Sequence, residues 1–127
     1  MTPAFVDAHH YSETVLGHIA EPHNVGAIER PDAVGRGTNP SCGDEVTLYL
    51  RFEGERVAEA KMEILGCGAI TASMSALTDM AGGKTAEELM AITPEQIAEH
   101  LGGLPRHKRH CAQLAQRVLR DALKDRA

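Results

Sequence analysis

From Glu45 to Ile64 the chain alternates apolar and polar residues in two consecutive runs. Val46, Leu48, Leu50 and Phe52 alternate with Glu45, Thr47, Tyr49 and Arg51; Ala58, Ala60, Met62 and Ile64 alternate with Glu59, Lys61 and Glu63. Only an extended backbone puts every second side chain on one face. Glu53-Gly54-Glu55 between the runs supplies a turn. The pattern predicts an antiparallel hairpin with one buried face. A short strand near Ala33 to Thr38, within a stretch from His23 to Ser41 that is rich in Gly, Pro and Asn and otherwise reads as loop, is expected to extend it to a three-stranded meander.

Past Gly68 the apolar spacing becomes helical. Ile70, Met74, Leu77 and Ala81 share a face, and Gly82-Gly83 close the helix. Thr85 with Glu88, and Thr93 with Pro94 and Gln96, are helix-start signals. A last helix is expected from about Lys108 to Lys124, with Cys111, Leu114, Val118 and Ala122 on one face. An earlier short helix is expected where Ser12 caps Val15, Leu16 and Ile19 and Pro22 stops the run. Strands first and helices afterwards give an α+β fold, a three-stranded antiparallel sheet with helices packed on one face. At 127 residues the chain fits one domain over 11–127, with 1–10 as a loose tail carrying His9-His10.

An aromatic content of 3% makes the core aliphatic and disfavours readers that stack bases. No apolar run reaches membrane-spanning length, and the first ten residues lack the pattern of a secretory signal, so the expected location is cytoplasmic. Charge is uneven. Residues 1–105 hold 6 Lys/Arg against 16 Asp/Glu, whereas residues 106–127 hold 7 against 2. The basic end reads as a solvated helix face or as a docking surface for an acidic partner.

Cys42, Cys67 and Cys111 are an odd number of thiols with no C-x-x-C pair, which argues against a disulfide framework. Each lies at the end of a predicted element, where side chains from separate segments can meet. Gly43, Gly66 and Gly68 flank two of them and leave room beside the thiols. Cys67 and Cys111 are expected near helix N-termini. There the helix dipole, with Lys108 and Arg109 at Cys111, lowers a thiol pKa and favours thiolate. Asp44 follows Cys42 by two residues, and His110 precedes Cys111. Three thiolates with one carboxylate or imidazole satisfy tetrahedral Zn²⁺ or a [2Fe–2S] cluster. Asp44 is also a plausible turn residue, and His110 a solvent-facing helix-start residue. His107 is a rival donor, since His107, His110 and Cys111 share a face if the helix already includes all three. A carboxylate matches iron–sulfur centres less well than thiolate, so a cluster held partly by Asp44 is expected to be labile, as suits a carrier that gives its cluster away.

These motifs resemble the IscU/NifU family of iron–sulfur cluster assembly scaffolds over about Tyr11 to Leu123. "YSETVLGHIAEPHNVG" resembles its Y-S-x-x-V and P-x-N-V-G opening; "SCGDEV" its C-G-D; "GCGAITASMSALTDMAGGKT" its G-C-G-x-x-I-A-S-S-S and G-K-T; "LPRHKRHC" its L-P-P-x-K-x-H-C. The resemblance implies an IscU/SufE-like sandwich. It implies Cys42, Cys67 and Cys111 as cluster ligands, Asp44 and His110 as alternating or assisting ligands, and Cys111 as persulfide acceptor. It further implies a transient [2Fe–2S] cluster, iron, and zinc in the same site. The implied partners are a cysteine desulfurase, a ferredoxin-type electron donor, apo iron–sulfur proteins and Hsp70/J-protein chaperones. Arg106 stands where the family motif has a second proline, which puts the chaperone contact in question. One competing reading is a zinc-dependent persulfide acceptor of the SufU type, whose insert before the last cysteine and lysine in place of His110 are absent here. Another is a purely structural zinc module, which would unfold on chelation.

Overall fold

The computed structural model describes residues 11–40 and 43–124. The tail with His9-His10, and Cys42, lie outside the described residues. The order of elements is α1 (Glu13–Ala20), β1 (Ala33–Asn39), β2 (Asp44–Glu53), β3 (Arg56–Leu65), α2 (Gly68–Ala81), α3 (Ala86–Met90), α4 (Pro94–His100), a 3₁₀ turn (Arg106–Lys108) and α5 (Arg109–Leu123). The strands form one antiparallel sheet in the order β1-β2-β3. Ala33, Val46, Leu48, Leu50, Val57, Ala60 and Met62 bury its inner face against α2 and α5. The opposite face carries residues such as Arg36, Thr47, Lys61 and Glu63, which keep contact with solvent. The α+β class and the meander are therefore as expected.

In β3 the register shifts beside the turn. Arg51 pairs with Glu59 but Phe52 pairs with Val57, so Ala58 has no residue opposite it. This bulge reverses the alternation. Val57 turns inward at 4% exposure and Ala58, expected inside, faces out. The outer edge of β3 is covered rather than open. Met62 exchanges backbone hydrogen bonds with Asn24 and Gly26, and Val57 does so with Gly83 and Lys84.

Helix α2 is buried on nearly every side, through Ala69, Ile70, Ala72, Ser73, Met74, Ala76, Leu77 and Ala81. Its two serines serve different purposes. Ser73 Oγ donates back to the Ala69 carbonyl, whereas Ser75 Oγ reaches His18 and the His23 amide. Ser12 caps α1, and both Thr85 and Thr93 form complete capping boxes. Ser12 Oγ also donates to the Leu101 carbonyl, which ties α1 to the end of α4. Helix α5 lies on β1 so closely that a Cβ at Gly35 would land on the Val118 carbonyl oxygen and 2.6 Å from the Ala122 nitrogen. Among the described residues, no helix is long and apolar enough to cross a membrane.

Candidate functional site

The site is built where β2 begins, β3 ends and α2 begins. Glu45 pairs with Leu65, so Asp44 on one strand and Gly66 on the other face each other just beyond the last pair. Asp44 Oδ1 accepts the Cys67 backbone N–H at 3.0 Å, in the first exposed-donor position of α2. A Cβ at Gly66 would collide with Asp44 Oδ1 and sit 3.0 Å from its Cγ, so glycine is what lets the carboxylate lie there. Asp44 is 1% exposed, and its Oδ2 is buried with no hydrogen-bond partner among the described residues. A buried carboxylate oxygen without a donor is costly unless something else fills its coordination.

Cys67 is the N-cap residue of α2, half-buried, and its side chain makes no capping bond. Asp44 satisfies the backbone N–H of this residue, and its thiol is left for other work. Cys111 enters from the first turn of α5, fully buried and close enough to Cys67 and Asp44 for both to act on its thiol. His110 Nε2 stands 3.6 Å from Cys111 Sγ. Tyr11 closes the site from the start of the chain: its phenol is pushed up by burial, with Lys108 opposing and Cys67 and Cys111 adding to the rise. Tyr11 carried no chemical signal in the sequence, because only tertiary packing brings it to the thiols.

One expectation is corrected here. The helix N-terminus was expected to favour Cys111 thiolate, but burial pushes its thiol from the usual 9.0 up to about 12. The neighbouring Cys67 thiol, by charge and hydrogen bond, and Asp44 add to the rise, and Lys108 only partly opposes it. Removing water costs a thiolate more than the first turn of a helix returns. With the folded value raised, the neutral thiol persists as pH rises through 9 and is lost only toward about 12. In the metal-free protein, iodoacetamide should therefore label Cys111 far more slowly than an unfolded control below pH 9, with the gap narrowing toward pH 12. Mass-spectrometric peptide mapping would check it, and equal labelling at pH 8 would contradict it.

The other expected donors fall as follows. Asp44, Cys67, His110 and Cys111 come together. His107 lies exposed in the 3₁₀ turn before α5, so it does not share an α-helical face with His110 and Cys111. Cys42 lies outside the described residues, next to Gly43, whose φ of +75° suits glycine. The three flanking glycines act differently. Gly43 turns the backbone and Gly66 admits Asp44, whereas Gly68 admits Ile19, at 2.8 Å from a would-be Cβ, rather than a ligand. Arg106 and Arg109 are exposed at the rim, as is Leu65 at 68%. Among the described residues, the one set of three whose ligand atoms all lie within 4.8 Å of one another is elsewhere, at His18, His23 and Asp79.

Residues 10–126 match the family described as the NifU-like N terminal domain. The chain belongs to this family. Two Archaeoglobus fulgidus relatives of this NifU-like domain, named as iron–sulfur cluster assembly scaffold proteins IscU, are each 46% identical over 115 residues, which is 91% of this chain and 75% of theirs. The IscU scaffold protein of Aquifex aeolicus is 38% identical over 117 residues, 91% of this chain and 74% of that one. The NifU-like fold is shared with a crystal structure from Fervidobacterium islandicum, described as an iron–sulfur cluster assembly scaffold of the SUF system. That likeness has a TM-score of 0.72 at 30% identity and covers 89% of this chain and 96% of the other. The family and fold expected from the motifs are thus those found.

Proposed function

We propose that this NifU-like domain is a scaffold on which iron–sulfur clusters are assembled and then handed on. The observation that carries the reading is the buried Oδ2 of Asp44, which has no donor among the described residues and is held beside Cys67 and Cys111. Its relatives' names as assembly scaffolds support it. The cluster is cargo. Cys42, Cys67 and Cys111 are its thiolate ligands, and Asp44 or His110 supplies the fourth position. A [2Fe–2S] cluster needs four terminal ligands, and this set offers them with one hard or borderline donor that can let go.

Sulfur arrives as a persulfide on a cysteine desulfurase. Cys111 loses its proton to the His110 imidazole, 3.6 Å from its sulfur, and that sulfur attacks the outer persulfide sulfur. A new S–S bond forms on Cys111, and the desulfurase cysteine leaves as thiolate. Each sulfane sulfur then takes two electrons, from a ferredoxin-type donor, to become sulfide. Ferrous iron binding displaces the remaining thiol protons, so the high Cys111 value is a resting state that loading removes. The finished cluster passes to apo iron–sulfur proteins. The Arg106–Arg109 rim is the docking surface for an acidic partner, and exposed Arg106 weakens any chaperone contact that relies on a second proline there.

Anaerobic incubation with a cysteine desulfurase, cysteine, ferrous iron and reductant should give visible cluster absorbance, with iron and sulfide in equal amounts. That absorbance should move to an added apo-ferredoxin. The second reading, a zinc-dependent persulfide acceptor, draws support from the SufU neighbour. It is favoured instead if no cluster forms while stoichiometric zinc makes the protein a strong activator of the desulfurase.

A further inference from the structure

We infer that His18, His23 and Asp79 form a second, thiol-free site for a divalent first-row transition ion, on the side of α2 away from the cluster donors. Their ligand atoms all lie within 4.8 Å of one another. Asp79 follows Cys67 by twelve residues along the same helix, which at 1.5 Å rise per residue places it about 18 Å from the thiol end. The two sites therefore cannot share an ion.

The trio is a supported arrangement. His18, in the last turn of α1, is 7% exposed, and its Nδ1 is 2.6 Å from Ser75 Oγ. Ser75 Oγ also accepts the His23 backbone N–H at 2.8 Å, so one buried hydroxyl positions both histidines. With Nδ1 engaged by Ser75, Nε2 is the nitrogen that His18 has left for an ion. A ring nitrogen bound to a side-chain oxygen while the other meets a metal is the usual outer support of a metal-ligating histidine. Asp79 lies one helical turn after Ser75 on the same face, and the Asn24 amide donates to its Oδ1 at 3.0 Å. That fixes Oδ2 toward His23, whose Nδ1 is 2.6 Å away. The His18 and His23 rings have centroids 4.6 Å apart and are tilted by 48°, so they converge without stacking.

A tetrahedral ion with bonds of about 2.0–2.1 Å wants ligand atoms about 3.3 Å apart. The trio reaches this by modest rotation of the two exposed members, His23 and Asp79, around the fixed His18. Two imidazoles and one carboxylate suit Zn²⁺, Co²⁺ or Fe²⁺ and leave a position for water. The sequence hid it because the three residues are spread over α1, the following loop and the far end of α2.

The test is a titration of the full chain with Zn²⁺ by calorimetry and with Co²⁺ by absorption, reduced and without oxygen. In a variant combining Cys42→Ser, Cys67→Ser and Cys111→Ser, one equivalent of Co²⁺ should bind with no sulfur-to-cobalt charge-transfer band. Adding His23→Ala or Asp79→Asn should weaken that binding by at least about tenfold. Binding that neither substitution moves assigns the ion to the remaining histidines and overturns the inference, as does no binding at all in a folded variant. Should circular dichroism show the triple variant unfolded, the native chain decides. Two zinc equivalents falling to one with His23→Ala support the site, and one equivalent unchanged by it rejects the site. None of these outcomes depends on whether a cluster is assembled at the thiol end.

Discussion

Cys67→Ser and Cys111→Ser are each expected to abolish the cluster absorbance proposed for the native chain on anaerobic reconstitution. Serine offers a hard, high-pKa hydroxyl where iron and sulfur chemistry need a thiolate, so neither a terminal ligand nor, at Cys111, a persulfide can form. The two variants separate chemistry from folding because their positions differ. Cys67 is a half-buried N-cap whose side chain makes no capping bond. Serine is a preferred residue at that position, so Cys67→Ser should keep or slightly raise the melting temperature while losing the cluster. Cys111 is 0% exposed among Leu114, Ala112 and the core. A hydroxyl there costs about 1–3 kcal/mol if it finds no partner, so Cys111→Ser should melt earlier as well. Undiminished absorbance in Cys67→Ser, measured beside its melting curve, would remove that thiol from the ligand set.

Gly35→Ala is expected to be the most damaging single methyl group in the fold. The Val118 carbonyl oxygen occupies the place of the new Cβ, and the Ala122 nitrogen and Cβ lie 2.6 and 2.9 Å from it. Two of these three atoms are backbone, so no side-chain rotation relieves the clash and α5 must lift from β1. Overpacking of this kind costs about 3 kcal/mol or more, a fall in melting temperature on the order of 10 °C for a domain of this size. Gly17→Ala is the control, because nothing lies within 4 Å of its Cβ position on α1. There alanine should stabilise by up to about 1 kcal/mol. Because α5 also carries Cys111, any Gly35→Ala protein that folds should assemble cluster poorly as well. Equal melting temperatures for Gly35→Ala and native protein would show that β1 and α5 are not in the contact described.

The elements were legible because local physics governs them. Period-two alternation gave β2 and β3, threonine and serine caps gave three helix starts, and Gly82-Gly83 gave the end of α2. The bulge at Ala58 was not legible, since a register shift depends on the opposing strand and leaves no mark on hydropathy. The 3₁₀ turn at Arg106–Lys108, which separates His107 from His110, was likewise hidden beneath residues that an α-helix accepts equally well.

Sequence alone supplied the inventory proposed for the thiol site: three cysteines, an acid two residues after the first, a histidine beside the last. It also determined that the core would be aliphatic and the sheet a meander. Tertiary structure alone decided what those groups are when brought together. Dipole reasoning along one helix pointed to a thiolate at Cys111, but desolvation is a property of the surroundings, and it pushed that thiol up to about 12. The absence of a side chain at Gly66 became the place of the Asp44 carboxylate only when β2 and β3 were paired. The convergence of His18, His23 and Asp79 around Ser75 exists only through the packing of α1 on α2. Periodicity and capping act over a few neighbours in the chain, whereas burial, charge coupling and ligand convergence act over a few ångströms of space.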